Sequence, residues 1–361
     1  MSHERGARHE RGARRERRGA MSGGLARGST LPLRRGLLLV AAPAALTGLL
    51  AGLARVGLPM PWGSSYALER AVALGQRWAY AAPMAGALAA AAMLGGQGWA
   101  PWAASASALG LALINVVLVR KQLANFTALM LAGSALLLAG DLLWALGEPI
   151  ARVVPSWMAF FVLTIAAERL ELSRLAPTPR WAKSALVALA SGLGLATCAL
   201  LAELPGAARA LGATMGLLGA WQLRFDLARR TLRMSGLPRF TAASVLLGAG
   251  WLVISGALLV AFGLPRAGPV YDAALHGVFV GYVLSMVIAH APIILPAVAH
   301  LRLPYHRAFW IAPAILHLGL LARVLGDLLA IQPLREFGSI ANVLALLAFA
   351  IAVFWARRAR R

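Results

Sequence analysis

The sequence predicts an all-α bundle of helices that crosses a membrane many times, and three observations carry that expectation. The chain of 361 residues is 60% hydrophobic and only 13% charged, with a mean hydropathy of +0.72. Soluble domains carry about 25% charged residues. Apolar runs of roughly 18 residues or more recur along most of the chain, each long enough to span a bilayer. These runs do not alternate apolar and polar positions as the strands of a lipid-facing barrel would, so the spans are helices, which satisfy their own backbone.

The first 35 residues stand apart. HERGAR, HERGAR and RERRGA follow one another from His3 to Ala20, a low-complexity tract with nothing to bury. Residues 1–35 are therefore expected to form a disordered, arginine-rich tail, and its His3 and His9 are not expected to ligate anything. Met21 opens a second, more ordinary start, and no cleaved signal is expected because the apolar segment that follows lacks a small-residue cleavage pattern. Residues 36–361 read as the transmembrane bundle. Its spans fall at about 36–54, 78–95, 101–119, 123–146, 153–168, 184–202, 206–222, 240–262, 270–298, 308–330 and 338–356, about 11 in all. The single cysteine, Cys198, excludes an internal disulfide or a thiolate cluster.

A formal charge of +22 has the size of a nucleic-acid-binding signature, but its distribution argues against a nucleic-acid partner. The 35 basic residues, arginines except for Lys121 and Lys183, sit mostly in short loops between apolar runs. One side of the bundle collects the basic residues of 55–77, 120–121, 169–183, 224–239, 302–307 and 357–361; the other holds only Arg152, Arg209, Arg266 and Arg335. That bias makes the first side, with the C-terminus, the cytoplasmic side of the cell membrane. An odd number of spans then leaves the N-terminal tail on the opposite side. Either the first apolar segment does not span, or a helix is absent around Val56–Arg77, which is too polar and too rich in Gly and Pro to cross.

Histidine is costly in a bilayer and normally faces protein or a cavity there. Five of the seven histidines lie between His276 and His317. With HLRLPYHR, His300 to Arg307, as a cytoplasmic turn, His290 and His317 each stand about nine residues, roughly 14 Å, into the membrane on adjacent helices. Two imidazoles at one depth can hold a metal, clasp a heme or pass a proton; they can equally serve as interhelical hydrogen-bonding groups. His276, about 21 Å from His290 and on nearly the same helix face, belongs near the outer surface. There it could serve a second site or join Tyr271 and Asp272 in an interfacial cluster. His300 and His306 are expected to be solvated loop residues. Pro292 and Pro296 are expected to open the helix after His290 and free carbonyls, or to form a plain kink.

Several charges lie within spans. Arg323 and Asp327 are spaced i,i+4 and are expected to pair on one helix face, with Arg323 alternatively meeting a heme propionate. Asp141 lies late in its span, near the outer interface. In ERLELSR, Glu168, Arg169, Glu171 and Arg174 end a span on the cytoplasmic side. They are expected to form an ion-pair network that anchors the helix end, or a mouth for proton entry.

ALHGVFVGYVLSMVIAHAPIILPAV, LLARVLGDL, WMAFFVLTIAAERLELSRL and LERAVALGQRWAYAAPM resemble a family of bacterial polytopic membrane proteins of unassigned activity. That family is related to the NnrS proteins of the heme-copper oxidase subunit I-like superfamily. The resemblance covers most of the chain from about residue 36. It implies about 12 spans in the relatives, a heme and/or copper cofactor, and a link to nitric oxide or electron handling. His276, His290, His317 and Arg323 match its pattern as cofactor-binding residues, with His290 and His317 as metal ligands. A span that opens with a His-Gly pair in the family is replaced here by GLPMPWGSSYALERAVAL, which implies that this chain lacks one helix and one histidine.

No P-loop, dinucleotide fingerprint, H-E-x-x-H or nucleophile elbow is present. Two functions remain as expectations: a membrane heme or copper protein of NnrS-like type, or a transporter or scaffold without a cofactor. The sequence shows one interrupted helix and no counterpart in the other half, where common transporters show paired repeats. Five histidines on two helices do not reproduce an oxygen-reducing centre, so oxygen reduction is not expected.

Overall fold

Among the described residues the backbone forms ten helices of 14 residues or more, most of them joined by short links. This computed structural model describes residues 67, 70, 71, 74–299 and 303–358. The chain forms two contact units, Met1–Val40 and Ala41–Arg361, and every described residue lies in the second. The expected tail over 1–35, the span at 36–54 and most of Val56–Arg77 lie outside the described residues, as does His300.

After a 3₁₀ turn at Arg77–Tyr80 come α1 (Ala81–Leu94), α2 (Ala100–Lys121), α3 (Asn125–Ala145), α4 (Ile150–Leu172) and α5 (Arg180–Leu201). There follow α6 (Ala207–Phe225), a single turn at Ala228–Thr231, and α7 (Leu237–Phe262). α8 begins as Pro269–His276, winds as a π-helix over Gly277–Leu284 and resumes over Ser285–Ala299. The bundle ends with α9 (Ile311–Leu328) and α10 (Gln332–Arg358). Eight of these are long and apolar enough to cross a membrane. α1 has only 14 residues, and α6, although 19 residues long, is less apolar. No strand occurs among the described residues.

Local chemistry sets the ends. Pro101, Pro238 and Pro269 occupy first-turn positions of α2, α7 and α8, where a missing N–H leaves no helical bond unmade. The α7–α8 link turns on Gly263 (φ 72°) and Gly268 (φ 99°), a backbone region that side chains disfavour. Links this short make sequential helices antiparallel neighbours; α1 to α7 pack each against the next, as do α9 and α10. α4 is the central helix: 83% of its most apolar window is buried, against 28% for α5. Trp157, Phe160 and Leu163 fill its surroundings. α8 lies against α7 and α9, and its π segment reaches α4.

Two expectations about α8 are corrected. Pro292 and Pro296 lie inside a continuing α-helix, and the irregularity falls upstream, at Gly277–Leu284. The i→i+5 winding there holds more residues per turn than 3.6, so each advances the helix face by less. The face shared by His276 and His290 in an ideal α-helix is thereby lost.

Lipid is as apolar as leucine, so membrane helices associate through close packing, and small residues permit it. α6 brings Gly212, Gly216 and Gly219 against α7. A Cβ on Gly256 would stand 2.6 Å from the Gly212 carbonyl oxygen and 2.7 Å from Gly216 Cα, and one on Gly219 would stand 2.7 Å from the Ala249 carbonyl oxygen. Gly256→Ala is therefore expected to lose about 1–3 kcal/mol through overpacking, more than the ~1 kcal/mol that alanine gains in helix propensity. Gly250→Ala, on the same helix and with nothing within 4 Å of the added carbon, is expected to be neutral or slightly stabilising. Thermal unfolding of both variants in detergent checks the pair.

Candidate functional site

Two polar clusters lie at opposite ends of α8. At the arginine-poor end, Asp272 sits one turn into the helix. Arg323 of α9 donates to Asp272 Oδ2 from Nε (3.1 Å) and Nη2 (2.8 Å). Its Nη1 donates to Ser339 of α10, whose hydroxyl donates in turn to the Arg335 carbonyl at 2.8 Å. Asp327 does not pair with Arg323, as its i,i+4 spacing predicts; its buried carboxylate faces Arg335 Nε at 3.0 Å. The physical reason is that α10 packs along α9 and presents Arg335 to one face, while α8 presents Asp272 to the other. Tyr271 is half-buried beside this cluster.

His276 belongs to the same cluster. Its Nδ1 lies 2.9 Å from the Asp272 carbonyl and 3.3 Å from Asp272 Oδ1. A carbonyl only accepts, so Nδ1 carries the hydrogen and Nε2 keeps the lone pair. No described residue hydrogen-bonds that nitrogen.

At the arginine-rich end, Arg169 is the buried hub. Its Nη2 lies 3.0 Å from His290 Nε2, and its Nη1 lies 4.0 Å from Asp226 Oδ1. A guanidinium only donates, so Nε2 of His290 accepts and Nδ1 donates to the Met286 carbonyl at 2.7 Å. Asp226 also accepts from Ala228 N at 2.8 Å. Glu168 accepts from Arg70 at 2.9 Å. Arg174 lies over the Phe126 ring at 4.9 Å, and Glu171 is exposed. Glu168, Arg169 and Arg174 thus reach partners elsewhere in the chain, where their sequence spacing predicts pairs with one another.

His290 and His317 do not meet as a pair. Trp251 Nε1 donates to His317 Nδ1 at 3.0 Å, and His317 Nε2 points to Ser285 Oγ at 3.5 Å. Ser285 precedes His290 by about 7 Å of helix rise. The lone pairs of both rings are committed, to Arg169 and to Trp251. His306, exposed in its loop, accepts from Ala308 N at 3.1 Å and caps the 3₁₀ turn Arg307–Trp310. Asp141 is buried and accepts from Trp157 Nε1 at 2.8 Å. Between the clusters, Gln222 donates to the fully buried Tyr282 of the π segment.

Sequence reasoning missed Asp226, Gln222 and Trp251 as partners. Nothing in their spacing marks them, because each acts across helices; the one available signal was that an acid or amide near a span end needs a partner. Among the described residues, no three or more His, Cys, Asp or Glu side chains are arranged to hold a metal ion.

The pairing at the arginine-poor end can be measured. A double-mutant cycle between Arg323→Met and Asp272→Asn is expected to return about 1–3 kcal/mol of coupling, and the cycle between Arg323→Met and Asp327→Asn markedly less. Thermal unfolding in detergent gives both values.

No curated protein and no solved structure matches the chain. The match to a protein family runs over residues 34–358, through every helix that carries the two clusters. The chain therefore belongs to the family described as Domain of unknown function (DUF8744).

Proposed function

We propose that the chain is an integral membrane heme protein of NnrS-like type, serving a nitric oxide response or electron handling, in which His276 would hold the heme. The observation that carries this reading is the posture of that ring. Nδ1 is held by Asp272, which fixes the tautomer and raises the basicity of the ring, and Nε2 has no partner among the described residues. His290 and His317 do not fit the ligand pair expected of them, because Arg169 and Trp251 occupy the nitrogens that would bind. Copper, which favours several nitrogen donors, fits less well for the same reason. Arg323, held by Asp272 and Ser339, orients the acid that orients His276 and is not free for a propionate. Heme held by His276 would supply affinity for a small ligand such as nitric oxide and a one-electron redox change.

A second reading, a transporter or scaffold without a cofactor, is favoured by a different observation. Buried polar clusters stand at both ends of α8, and the π segment between them carries Tyr282 bonded to Gln222. Irregular backbone at membrane depth is tolerated where it is packed in protein or lines a cavity. On either reading the bilayer is the environment, with the arginine-rich end and the C-terminus in the cytoplasm of a bacterium.

The visible spectrum of the detergent-purified protein, oxidised and then reduced, separates the readings. A Soret band is expected in the wild type and in His317→Ala, and is expected to vanish in His276→Ala. No band in protein expressed with ample heme, or a band that survives His276→Ala, sinks the His276 heme. The orientation has its own check: a fluorescent protein fused after Arg361 is expected to glow, and a periplasm-dependent phosphatase in the same place to stay inactive.

A further inference from the structure

The arginine-rich face carries a feature that membrane orientation alone does not require. Orientation needs positive charge on one side of the bundle; it does not need that charge to converge on a cavity. Here the α4–α5 link, the start of α5, the end of α6 and the α6–α7 link enclose a cavity of about 910 Å³. Arg224, Arg229, Arg230 and Arg233 line it, and all four are exposed.

The cavity has an aromatic wall as well as a basic one. Trp181 and Phe225 meet edge to face at 5.1 Å, and Arg224 lies over the Phe225 ring at 5.0 Å. Trp181, 63% exposed, is at the first turn of α5, where the helix leaves the membrane. An amphipathic ring is favoured at that level. The wall's carboxylate, Asp226, is buried and turned inward to Ala228 N and Arg169, so it does not neutralise the arginines. Arg229 donates to the Arg224 carbonyl at 3.2 Å, which fixes one guanidinium while leaving it other N–H donors. The Thr178 hydroxyl, in the opposite wall, has no hydrogen-bond partner.

Four like charges around one concave surface repel each other until an anion sits among them. Guanidinium groups match the oxygens of a phosphate in a way that isolated charges do not. The geometry points to a binding site for an anionic phosphate group, enclosed by Arg224, Arg229, Arg230 and Arg233 with Trp181 and Phe225 as its apolar wall. Two sources offer that chemistry at this depth: the headgroup of an anionic phospholipid in the cytoplasmic leaflet, and free phosphate in the cytoplasm. This site is independent of His276 and of any heme.

Thermal unfolding of the full chain in dodecyl maltoside tests it, since a ligand that binds only the folded state raises the transition temperature. The probes are mixed micelles containing dioleoylphosphatidylglycerol, the same micelles with dioleoylphosphatidylcholine, and inorganic phosphate against chloride at equal ionic strength. Phosphatidylglycerol or phosphate is expected to stabilise the protein, and phosphatidylcholine not to. In the double variant Arg229→Gln/Arg233→Gln, the half-saturating concentration is expected to rise at least about tenfold, in keeping with the loss of charge-assisted hydrogen bonds. The double variant Arg120→Gln/Lys121→Gln removes the same charge from the same face outside the cavity and is expected to keep the wild-type response. Should the first double variant fail to fold, Arg230→Gln alone gives the same comparison. Stabilisation by phosphatidylglycerol and not by phosphate assigns the site to a lipid headgroup; stabilisation by phosphate assigns it to the free anion. No stabilisation by phosphatidylglycerol or by phosphate, or equal losses in the cavity variant and the control variant, overturns the site.

Discussion

A side chain that can hydrogen-bond finds no water inside a membrane, and the buried charged groups of this bundle are answered by other parts of the chain. The rest of the architecture depends on that constraint. Arg169, buried in α4, is answered by His290 of α8 and Asp226 beyond α6. Arg323 in α9 is answered by Asp272 of α8 and Ser339 of α10. Asp141 of α3 is answered by the indole of Trp157 in α4. Each bond joins one helix to another, so together they fix which helices are neighbours and in what rotation. Shape complementarity along the glycine seam of α6 and α7 then sets how closely they approach.

The helices themselves were legible because each crossing demands a long apolar run, and apolar runs survive in any reading of the sequence. The expected spans at 101–119 and 240–262 became Ala100–Lys121 and Leu237–Phe262. Starts at 153 and 184 moved outward to Ile150 and Arg180, because Arg152, Arg180 and Lys183 occupy first turns, where a long side chain reaches water without leaving the helix. Partners were far less legible. Spacing along one helix suggests neighbours at i,i+3 and i,i+4, and it led to Glu171 with Arg174 and to Arg323 with Asp327. Burial gives a stronger reason to bond across helices than within one, and a sequence carries no sign of which helix lies opposite.

The histidines show the same limit in chemical terms. All three were placed on the helices that carry them, but His317 stands beside Ser285, not level with His290 as counting from the turn implied. What decides their chemistry is the lone pair each retains, and that depends on residues far away in sequence. Trp251 is 66 positions from His317, and Arg169 is 121 from His290. His276 and His290 both take one bond from four residues earlier, at the Asp272 and Met286 carbonyls, but among the described residues His276 has no partner on its other nitrogen from farther along the chain.

The π segment of α8 turns chain length into angle. One residue of α-helix advances the side-chain direction by about 100°, so the eight residues of Gly277–Leu284 set the phase between the two ends of the helix. Asp272 and His276 are aimed by the upstream half, Ser285 and His290 by the downstream half. The same residues wound as plain α-helix would keep the first pair on Arg323 and swing the second away from His317 and Arg169. The two polar ends of the bundle are therefore tuned to each other by a count of residues, and side-chain identity alone does not preserve that tuning.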